Sequence, residues 1–317
     1  MSAPTVTVIV PVHDRTEYLD AALDSIAAQD YDGAVDVLVI DDGSVEPVAP
    51  RFASRHPKVR FIRQPNAGLA RVRQIGAEAV STDLITFLDD DDLLPVGSLA
   101  RRVQFLLDHP EVRVVAGDIA HFGPGRPLGG GYYHERFPRL HDVPHAQSPT
   151  DPAGRVYPQG GLVNFLLLNM PFCAVTTLTW RRWFHDIGGW GGEETLLAET
   201  YDFCYRATLA GRFGYLDTPV AHVRRGHQQI TADLLQGRRR ETQELAAWGR
   251  TLGGLDRRRV VPRLARRFLS HGLTQVRHGQ LGLGTAMGLA GVRMLMCDPM
   301  GFAQRPWRTG QARPALS

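Results

Sequence analysis

Short apolar segments alternate with amphipathic ones along the first third of the chain. The runs at 5–12, 35–40, 59–62 and 84–88 contain many β-branched residues, are bounded by polar residues and are too short for helices. Between them, apolar residues recur at helical spacing, as in residues 68–80. This β-α-β-α-β order predicts an α/β fold, Rossmann-like, with a mostly parallel central sheet flanked by helices.

Further elements follow this core. The pattern predicts a helix over 95–107 and strands over 112–116 and 175–180. Residues 121–159 are rich in Gly, Pro and His, and a stretch this long predicts a lid, a binding loop or a disordered segment. Residues 236–275 are again helical in character, with arginines between the apolar positions.

Four consecutive aspartates, the aspartate turn (Asp89–Asp92), follow the apolar run that ends at Leu88. A strand with this ending delivers carboxylates to the carboxyl edge of the sheet, where open α/β folds bind ligands. Without a counter-ion these groups would repel one another, and a hard divalent cation would relieve the repulsion. The alternative is a solvated acidic turn with Asp as a helix N-cap. Four carboxylates together favour the metal.

Polar residues also follow the first two predicted strands. Pro11 to Asp14 end the first strand, and Asp41 to Ser44 end the second. Because the carboxyl ends of parallel strands meet at one edge, these residues and the aspartate turn are expected to line one crevice. Asp-Gly-Ser by itself is a common turn, but three clusters in succession favour a nucleotide site.

Charge divides the chain into two regions. Residues 236–317 carry 15 Arg and 4 acidic residues, a net charge of +11, whereas residues 1–235 carry a net −8. This asymmetry predicts an acidic α/β domain over 1–235 and a basic, mainly helical region over 236–317. The arginines allow three interpretations: peripheral contact with an anionic membrane surface, contact with the acidic domain, or a solvated face.

Several classes of protein are disfavoured. No nucleic-acid-binding motif accompanies the arginines, so nucleic acid is not a predicted partner. No apolar stretch reaches the roughly 18 residues of a spanning helix, and no signal peptide is visible. The three cysteines are scattered and suit a reducing compartment. The expected location is the cytoplasm, with the inner face of the membrane as a peripheral alternative.

Six motifs together resemble family 2 glycosyltransferases with the GT-A nucleotide-sugar-binding fold. In chain order they are VIVPVHDR (8–15), VLVIDDGS (37–44), NAGLARVRQIG (66–76), FLDDDDLLP (87–95), IGGWGGEETLLAETYDF (187–203) and RRGHQQIT (224–231). The resemblance implies inverting transfer of a sugar from a nucleoside-diphosphate donor, with a UDP-sugar favoured, to a hydroxyl acceptor. It also implies Mn²⁺ or Mg²⁺ as cofactor.

The resemblance implies roles for particular residues. The implied nucleotide-sugar-binding residues are Pro11, Asp14, Asp41, Asp42, Arg73, Asp89 and Asp90. Asp89 and Asp91 match the acidic ends of the family's DXD motif, with Asp91 as the direct metal ligand, and His227 matches a late metal or phosphate ligand. The alternative interpretation of Arg73 is a solvated residue on the surface of its helix.

The catalytic base departs from the family pattern. Thr200 occupies the position of the expected Asp, and threonine cannot act as a general base near neutral pH. Glu199 is the predicted base and Asp202 the reserve. The resemblance implies that Trp190, which follows Gly188 and Gly189, borders the acceptor, which could be a glycan, a lipid carrier or a small metabolite. The alternative function is a catalytically impaired nucleotide-sugar-binding or scaffold protein. A nucleotidyltransferase is disfavoured because its glycine-rich loop is absent after the first strand.

Overall fold

The computed structural model describes residues 2–166, 169, 172–190 and 198–226, and farther along 265, 268–269, 272–273, 276–277, 279 and 281–296. The chain divides into two compact units, residues 1–229 and 230–317. All residues predicted above to bind donor, metal or acceptor fall in the first unit.

The first unit alternates strands and helices. Its strands are β1 (Val6–Val12), β2 (Val35–Asp42), β3 (Val59–Gln64), β4 (Leu84–Phe87), β5 (Val112–Gly123), β6 (Arg126–Gly129), β7 (Ala146–Gln147), β8 (Gly154–Tyr157), β9 (Leu178–Trp180) and β10 (Arg212–Arg224). Its α-helices are α1 (Leu19–Ala27), α2 (Ala49–Phe52), α3 (Leu69–Glu78), α4 (Ser98–Asp108), α5 (Tyr132–Arg136), α6 (Val163–Leu166), α7 (Arg181–Asp186) and α8 (Ala198–Ala210). Short 3₁₀ helices occupy Pro138–Leu140 and Ala174–Thr176.

The strands form one mixed sheet in the order β3-β2-β1-β4-β9-β5-β10-β8-β7, and β6 pairs with β5. The first four strands are mutually parallel, because each crossover returns the chain in the same direction. Strand β9 then runs antiparallel between β4 and β5, while β10 is parallel to β5. The predicted α/β class is confirmed. The first half of the sheet, β3-β2-β1-β4, is wholly parallel, and the second half combines the parallel pair β5-β10 with antiparallel pairs.

Alternate residues of β1 contribute to two hydrophobic layers. Val8 and Val10 pack with Leu23 of α1 on one face, and Ile9 packs with α3 on the other. Gly76 allows this close approach, because a Cβ there would lie 2.5 Å from the Ile9 side chain. This packing fixes β1 in the middle of the parallel half and leaves its carboxyl end at the edge of the sheet.

Residues 121–159 are more ordered than the predicted loop. They contain β6, α5, β7 and β8. The buried Asp118 anchors α5, since its carboxylate accepts hydrogen bonds from the backbone N–H of Tyr133 at 2.6 Å and of His134 at 3.0 Å. These short strands carry too few residues to give a periodic signal in the sequence.

A second anchor joins this segment to β10. Asp217 accepts a hydrogen bond from Arg155 at 2.9 Å, and His134 Nδ1 lies 3.3 Å from its other oxygen. His141 Nδ1 lies 3.9 Å from Asp217 and also contacts Arg155. The spacing of the two imidazoles and the carboxylate would suit a metal, but the Arg155 guanidinium already supplies the positive charge among them.

In the second unit, the described helix α9 spans Leu281–Met296. Within the described parts of the chain, no helix is both long and apolar enough to pass through a membrane. The arginine clusters on which the membrane interpretation depended lie outside the described residues: Arg238–Arg240, Arg257–Arg259, Arg263, Arg266 and Arg267.

Candidate functional site

The site lies at the carboxyl edge of the parallel strands. Strands β2, β1 and β4 are neighbours, and Val12 of β1 is in register with Asp41 of β2. The three polar clusters therefore meet at one edge, as expected for the ends of parallel strands. Strand β10 joins them through an antiparallel bridge between Leu93 and His222. This fourth contribution was not predicted, because Pro219 and register shifts in β10 interrupt its pattern.

Asp41 closes the turn that follows β2. It is 3% exposed, and its two oxygens accept hydrogen bonds from the backbone N–H of Ser44 at 2.8 Å and of Val48 at 3.1 Å. Burial alone would raise the pKa of Asp41, but these hydrogen bonds and the nearby Arg63 outweigh it, so the pKa is lowered. Asp41 is therefore a carboxylate at neutral pH.

Asp42 anchors the loop before α3. Its Oδ1 accepts hydrogen bonds from the Gln64 side chain at 2.9 Å and the Ala67 N–H at 2.8 Å, and its Oδ2 accepts one from the Gly68 N–H at 3.0 Å. Asp41 and Asp42, both predicted to bind the base and ribose, thus hold the backbone of the crevice wall in place. A nucleotide would contact the surface that they hold in place.

The β1 end contributes Pro11 and Asp14. Pro11 is buried within β1, whereas the Asp14 side chain is half exposed. The Asp14 backbone adopts a φ of 58°, its N–H donates to Ser44 Oγ at 3.0 Å, and its Oδ1 accepts from the Val45 N–H at 2.7 Å. Asp14 therefore ties the β1 end to the β2 turn and does not cap α1, which begins at Leu19.

The aspartate turn has arginine counter-ions of its own. Arg73 of α3 donates to Asp89 Oδ1 at 2.5 Å. Arg15, between β1 and α1, lies 2.6 Å from Asp90 Oδ1 and 3.0 Å from Asp91 Oδ2. Tertiary packing thus brings guanidinium groups to these carboxylates, and they relieve part of the repulsion that a divalent cation was expected to relieve. The solvated alternative for Arg73 is wrong, since this residue is 4% exposed.

Two carboxylates of the turn have raised pKa values despite these arginines. Burial, with smaller contributions from Asp91 and Asp89, raises the pKa of Asp90 to about 7 despite its bond to Arg15. Burial and then the charges of Asp89 and Asp91 raise the pKa of Asp92 well above its usual range. A further cation at this turn would stabilise the ionised carboxylates.

A divalent cation fits this donor set. Carboxylate oxygens are the ligands that Mg²⁺ and Mn²⁺ prefer. Asp89, one predicted ligand, keeps 34% of its side chain exposed, and Asp91, the other, keeps 10%. The predicted third ligand, His227, lies outside the described residues.

Arg224 links β10 to the aspartate turn. Its backbone N–H donates to Asp92 Oδ1 at 2.9 Å, and its Nε donates to the Asp91 carbonyl at 3.0 Å. The guanidinium lies between two rings, 4.1 Å from the centroid of Tyr18 and 4.5 Å from that of Phe122. Arg15 and Arg224 were not predicted as site residues, although both lie within the quoted motifs.

The predicted bases lie in the first turns of α8. Glu199 belongs to this helix, and the structure describes its backbone only. Asp202 is bound by Arg206, whose Nε and Nη2 lie 2.8 and 2.6 Å from Asp202 Oδ2. Arg206 also donates to the carbonyl of Gly189 at 2.6 Å. Asp202 thus takes part, through Arg206, in fixing the turn that follows α7, which weakens its case as the base.

Trp190 is a core residue. It is 3% exposed, and its ring lies 5.3 Å from the ring of Phe87 and 4.7 Å from that of Phe203, measured between centroids. Its backbone N–H donates to Gln74 at 2.9 Å. The ring has no exposed face on which a sugar could stack, which corrects the predicted acceptor role.

Sequence comparisons agree with this geometry. The family model described as glycosyl transferase family 2 matches residues 7–154. The glycosyltransferase GlyA of Streptococcus pneumoniae is 37% identical over 90 residues, which cover 27% of this chain and 13% of that protein. The chain spans less than half of the length of the first curated relatives that it matches.

Solved structures share the fold. The TarS fragment 1–349 of S. aureus in complex with UDP aligns with a TM-score of 0.57 and 16% identity, covering 94% of this chain and 89% of that one. The mannosyltransferase PcManGT of Pyrobaculum calidifontis in complex with GDP-Man and Mn²⁺ aligns with a TM-score of 0.59 and 16% identity, covering 93% and 76%. The resemblance inferred from the motifs is confirmed: residues 7–154 match the model of glycosyl transferase family 2, a family of transferases, and the α/β domain has the GT-A fold.

Proposed function

We propose that this protein is a metal-dependent, inverting glycosyltransferase that moves a sugar from a nucleoside-diphosphate donor to a hydroxyl acceptor. The observation that carries the proposal is the meeting of three polar strand ends around the aspartate turn at one sheet edge. In open α/β sheets, this edge is where ligands bind. A UDP-sugar is the first candidate donor, in keeping with the UDP complex of TarS.

Different residues of the crevice would contact different parts of the donor. Asp41, Asp42 and Pro11 support the wall against which base and ribose would lie. Arg73 would offset phosphate charge from beneath Asp89, which it holds in place from α3. A divalent cation held by Asp89 and Asp91 would stabilise the departing diphosphate as a Lewis acid.

The acceptor hydroxyl would attack the anomeric carbon from the face opposite the diphosphate, which inverts the configuration. Glu199, in the first turn of α8, is the proposed base that removes its proton. The acceptor class is a glycan, a lipid carrier or a small metabolite. Peripheral contact of the arginines in 236–317 with anionic lipid would suit a lipid-linked acceptor, and co-sedimentation with anionic against neutral vesicles tests this contact.

The donor site is tested by calorimetry with UDP, GDP and dTDP, each with and without Mn²⁺. We expect metal-dependent binding of one nucleotide to the wild type and its loss in Asp91→Asn. Release of that nucleotide from the corresponding nucleotide sugar then tests transfer or hydrolysis. Equal binding with and without metal, or unchanged binding in Asp91→Asn, would contradict the proposed metal site.

Two observations favour a second candidate, a nucleotide-sugar-binding protein without turnover. Thr200 stands where the family pattern has Asp and is 9% exposed, and Asp202 is bound by Arg206. Both features weaken the acid–base part of the site while leaving the donor part intact. Tight, metal-dependent donor binding with no nucleotide release over a panel of acceptors would favour this candidate.

A further inference from the structure

Arg15 holds two carboxylates of the aspartate turn at once. Its Nη2 atom donates to Asp90 Oδ1 at 2.6 Å and lies 3.0 Å from Asp91 Oδ2. The two carboxylates are 8% and 10% exposed, whereas the Arg15 side chain keeps 26% exposure. Nη2 of Arg15 therefore compensates the charge of Asp91, the residue that is proposed to bind the metal directly.

The second arginine at the turn is held differently. Arg73 belongs to helix α3, and its side chain is 5% exposed. Arg15 lies outside regular structure, in the segment that joins β1 to α1. It is also the more solvent-accessible of the two, at the open edge of the sheet. Of the two guanidinium groups, Arg15 is thus the one placed to change its partner.

We infer that Arg15 exchanges partners within the donor site. It neutralises Asp91 in the absence of a divalent cation, and it turns to the donor diphosphate when a cation takes that carboxylate. This inference rests on the proposed function. Two cations at one carboxylate repel each other, so Arg15 and the metal compete for Asp91. A guanidinium binds phosphate oxygens with the same forked geometry as carboxylate oxygens, so the diphosphate offers Arg15 a replacement partner.

The exchange has a thermodynamic consequence. Arg15 opposes the binding of the cation alone and supports the binding of cation and nucleotide together. Mn²⁺ and UDP should therefore bind cooperatively to the wild type, each increasing the affinity for the other by the same factor. Removing the Arg15 charge should reduce this coupling.

The test uses the full chain and its Arg15→Gln variant, since glutamine keeps an N–H donor and loses the charge. Free Mn²⁺ is measured by electron paramagnetic resonance without nucleotide, and UDP is then titrated calorimetrically at saturating Mn²⁺. We expect Arg15→Gln to bind Mn²⁺ alone about 5–10-fold tighter and to bind UDP about tenfold more weakly. Arg51→Gln is the matched control: it removes one nearby exposed charge whose side chain donates to Thr16 at 2.9 Å, and it should behave like the wild type.

Mn²⁺ affinity that is unchanged or weaker in Arg15→Gln overturns the inference. Adding Asp91→Asn to Arg15→Gln should abolish the gain in Mn²⁺ affinity. A gain that persists in the double variant would mean that Mn²⁺ binds away from Asp91, and it would also overturn the inference. Arg15→Lys keeps the charge without the fork, so it should bind Mn²⁺ like the wild type and UDP more weakly. If neither the wild type nor any variant binds Mn²⁺, with or without UDP, the proposed metal dependence fails as well. If Mn²⁺ binds but Arg15→Gln does not bind it more tightly, only this inference fails and the proposed function stands.

Discussion

The Nη2 atom of Arg73 lies 2.5 Å from Oδ1 of Asp89, and this ion pair joins helix α3 to the aspartate turn. The Arg73 side chain is 5% exposed and that of Asp89 is 34% exposed. The guanidinium is thus buried under the crevice while its carboxylate partner reaches the surface. The pair fixes the position of one proposed metal ligand from inside the protein.

Replacing Arg73 by Met should therefore affect both folding and donor binding. We expect the free energy of unfolding to fall by about 1–3 kcal/mol, because a charged hydrogen bond is lost at a largely buried position. Urea unfolding measures this change. Arg71→Met, on the same helix, is the control, since its ion pair with Glu78 is exposed and 3.9 Å long; it should cost about 0–1 kcal/mol. Equal effects of the two substitutions would contradict a special role for Arg73.

Asp41→Asn should destabilise the protein in a pH-dependent manner. The pKa of Asp41 is lowered below the usual 3.8 in the folded protein, so its ionised form contributes stability above that value. This contribution is lost as pH falls through the folded-state pKa. We expect a loss of about 1–2 kcal/mol at pH 7 that shrinks below about pH 4.

Urea unfolding of Asp41→Asn at several pH values measures this effect. Asp36→Asn, at an exposed position of the same strand, serves as the control and should change stability by no more than about 0.5 kcal/mol. A difference between wild type and Asp41→Asn that is the same at every pH would refute the assignment.

Trp190→Ala should destabilise the protein, as large-to-small substitutions in a hydrophobic core do. Because the ring is buried against Phe87 and Phe203, we expect the free energy of unfolding to fall by about 3–5 kcal/mol. Trp190→Phe, which keeps an aromatic ring, should recover most of this loss. A stable Trp190→Ala protein with a raised KM for acceptor alone would restore the acceptor interpretation.

Glu199→Gln and Asp202→Asn should separate catalysis from structure. We expect Glu199→Gln to lower kcat by about 10²–10⁴-fold, with donor affinity and stability unchanged, because only proton removal is lost. Asp202→Asn should instead lower stability, because Arg206 loses the carboxylate that it contacts through two nitrogens. Nucleotide release and urea unfolding, measured on both variants, distinguish the catalytic role from the structural one. Full turnover in Glu199→Gln together with none in Asp202→Asn would make Asp202 the base.

Much of the fold was predictable from local patterns. The strands over 6–12, 35–42, 59–64 and 84–87 coincide closely with their predicted ranges, because buried parallel strands read as short apolar runs. The missed strand Arg212–Arg224 combines Pro219, polar residues and register shifts. Such a strand is stabilised by its neighbours in the sheet, and its own sequence carries little of that information.

The sequence alone determined which carboxylates gather at the site. Parallel strands that each end in polar residues must place them at one edge, so Asp41, Asp42 and the aspartate turn were brought together by chain direction alone. Only the tertiary structure decided what compensates their charge. Arg15, Arg73 and Arg224 reach the turn from three separate elements. Such contacts depend on how helices and strands pack, and spacing along the chain does not encode them.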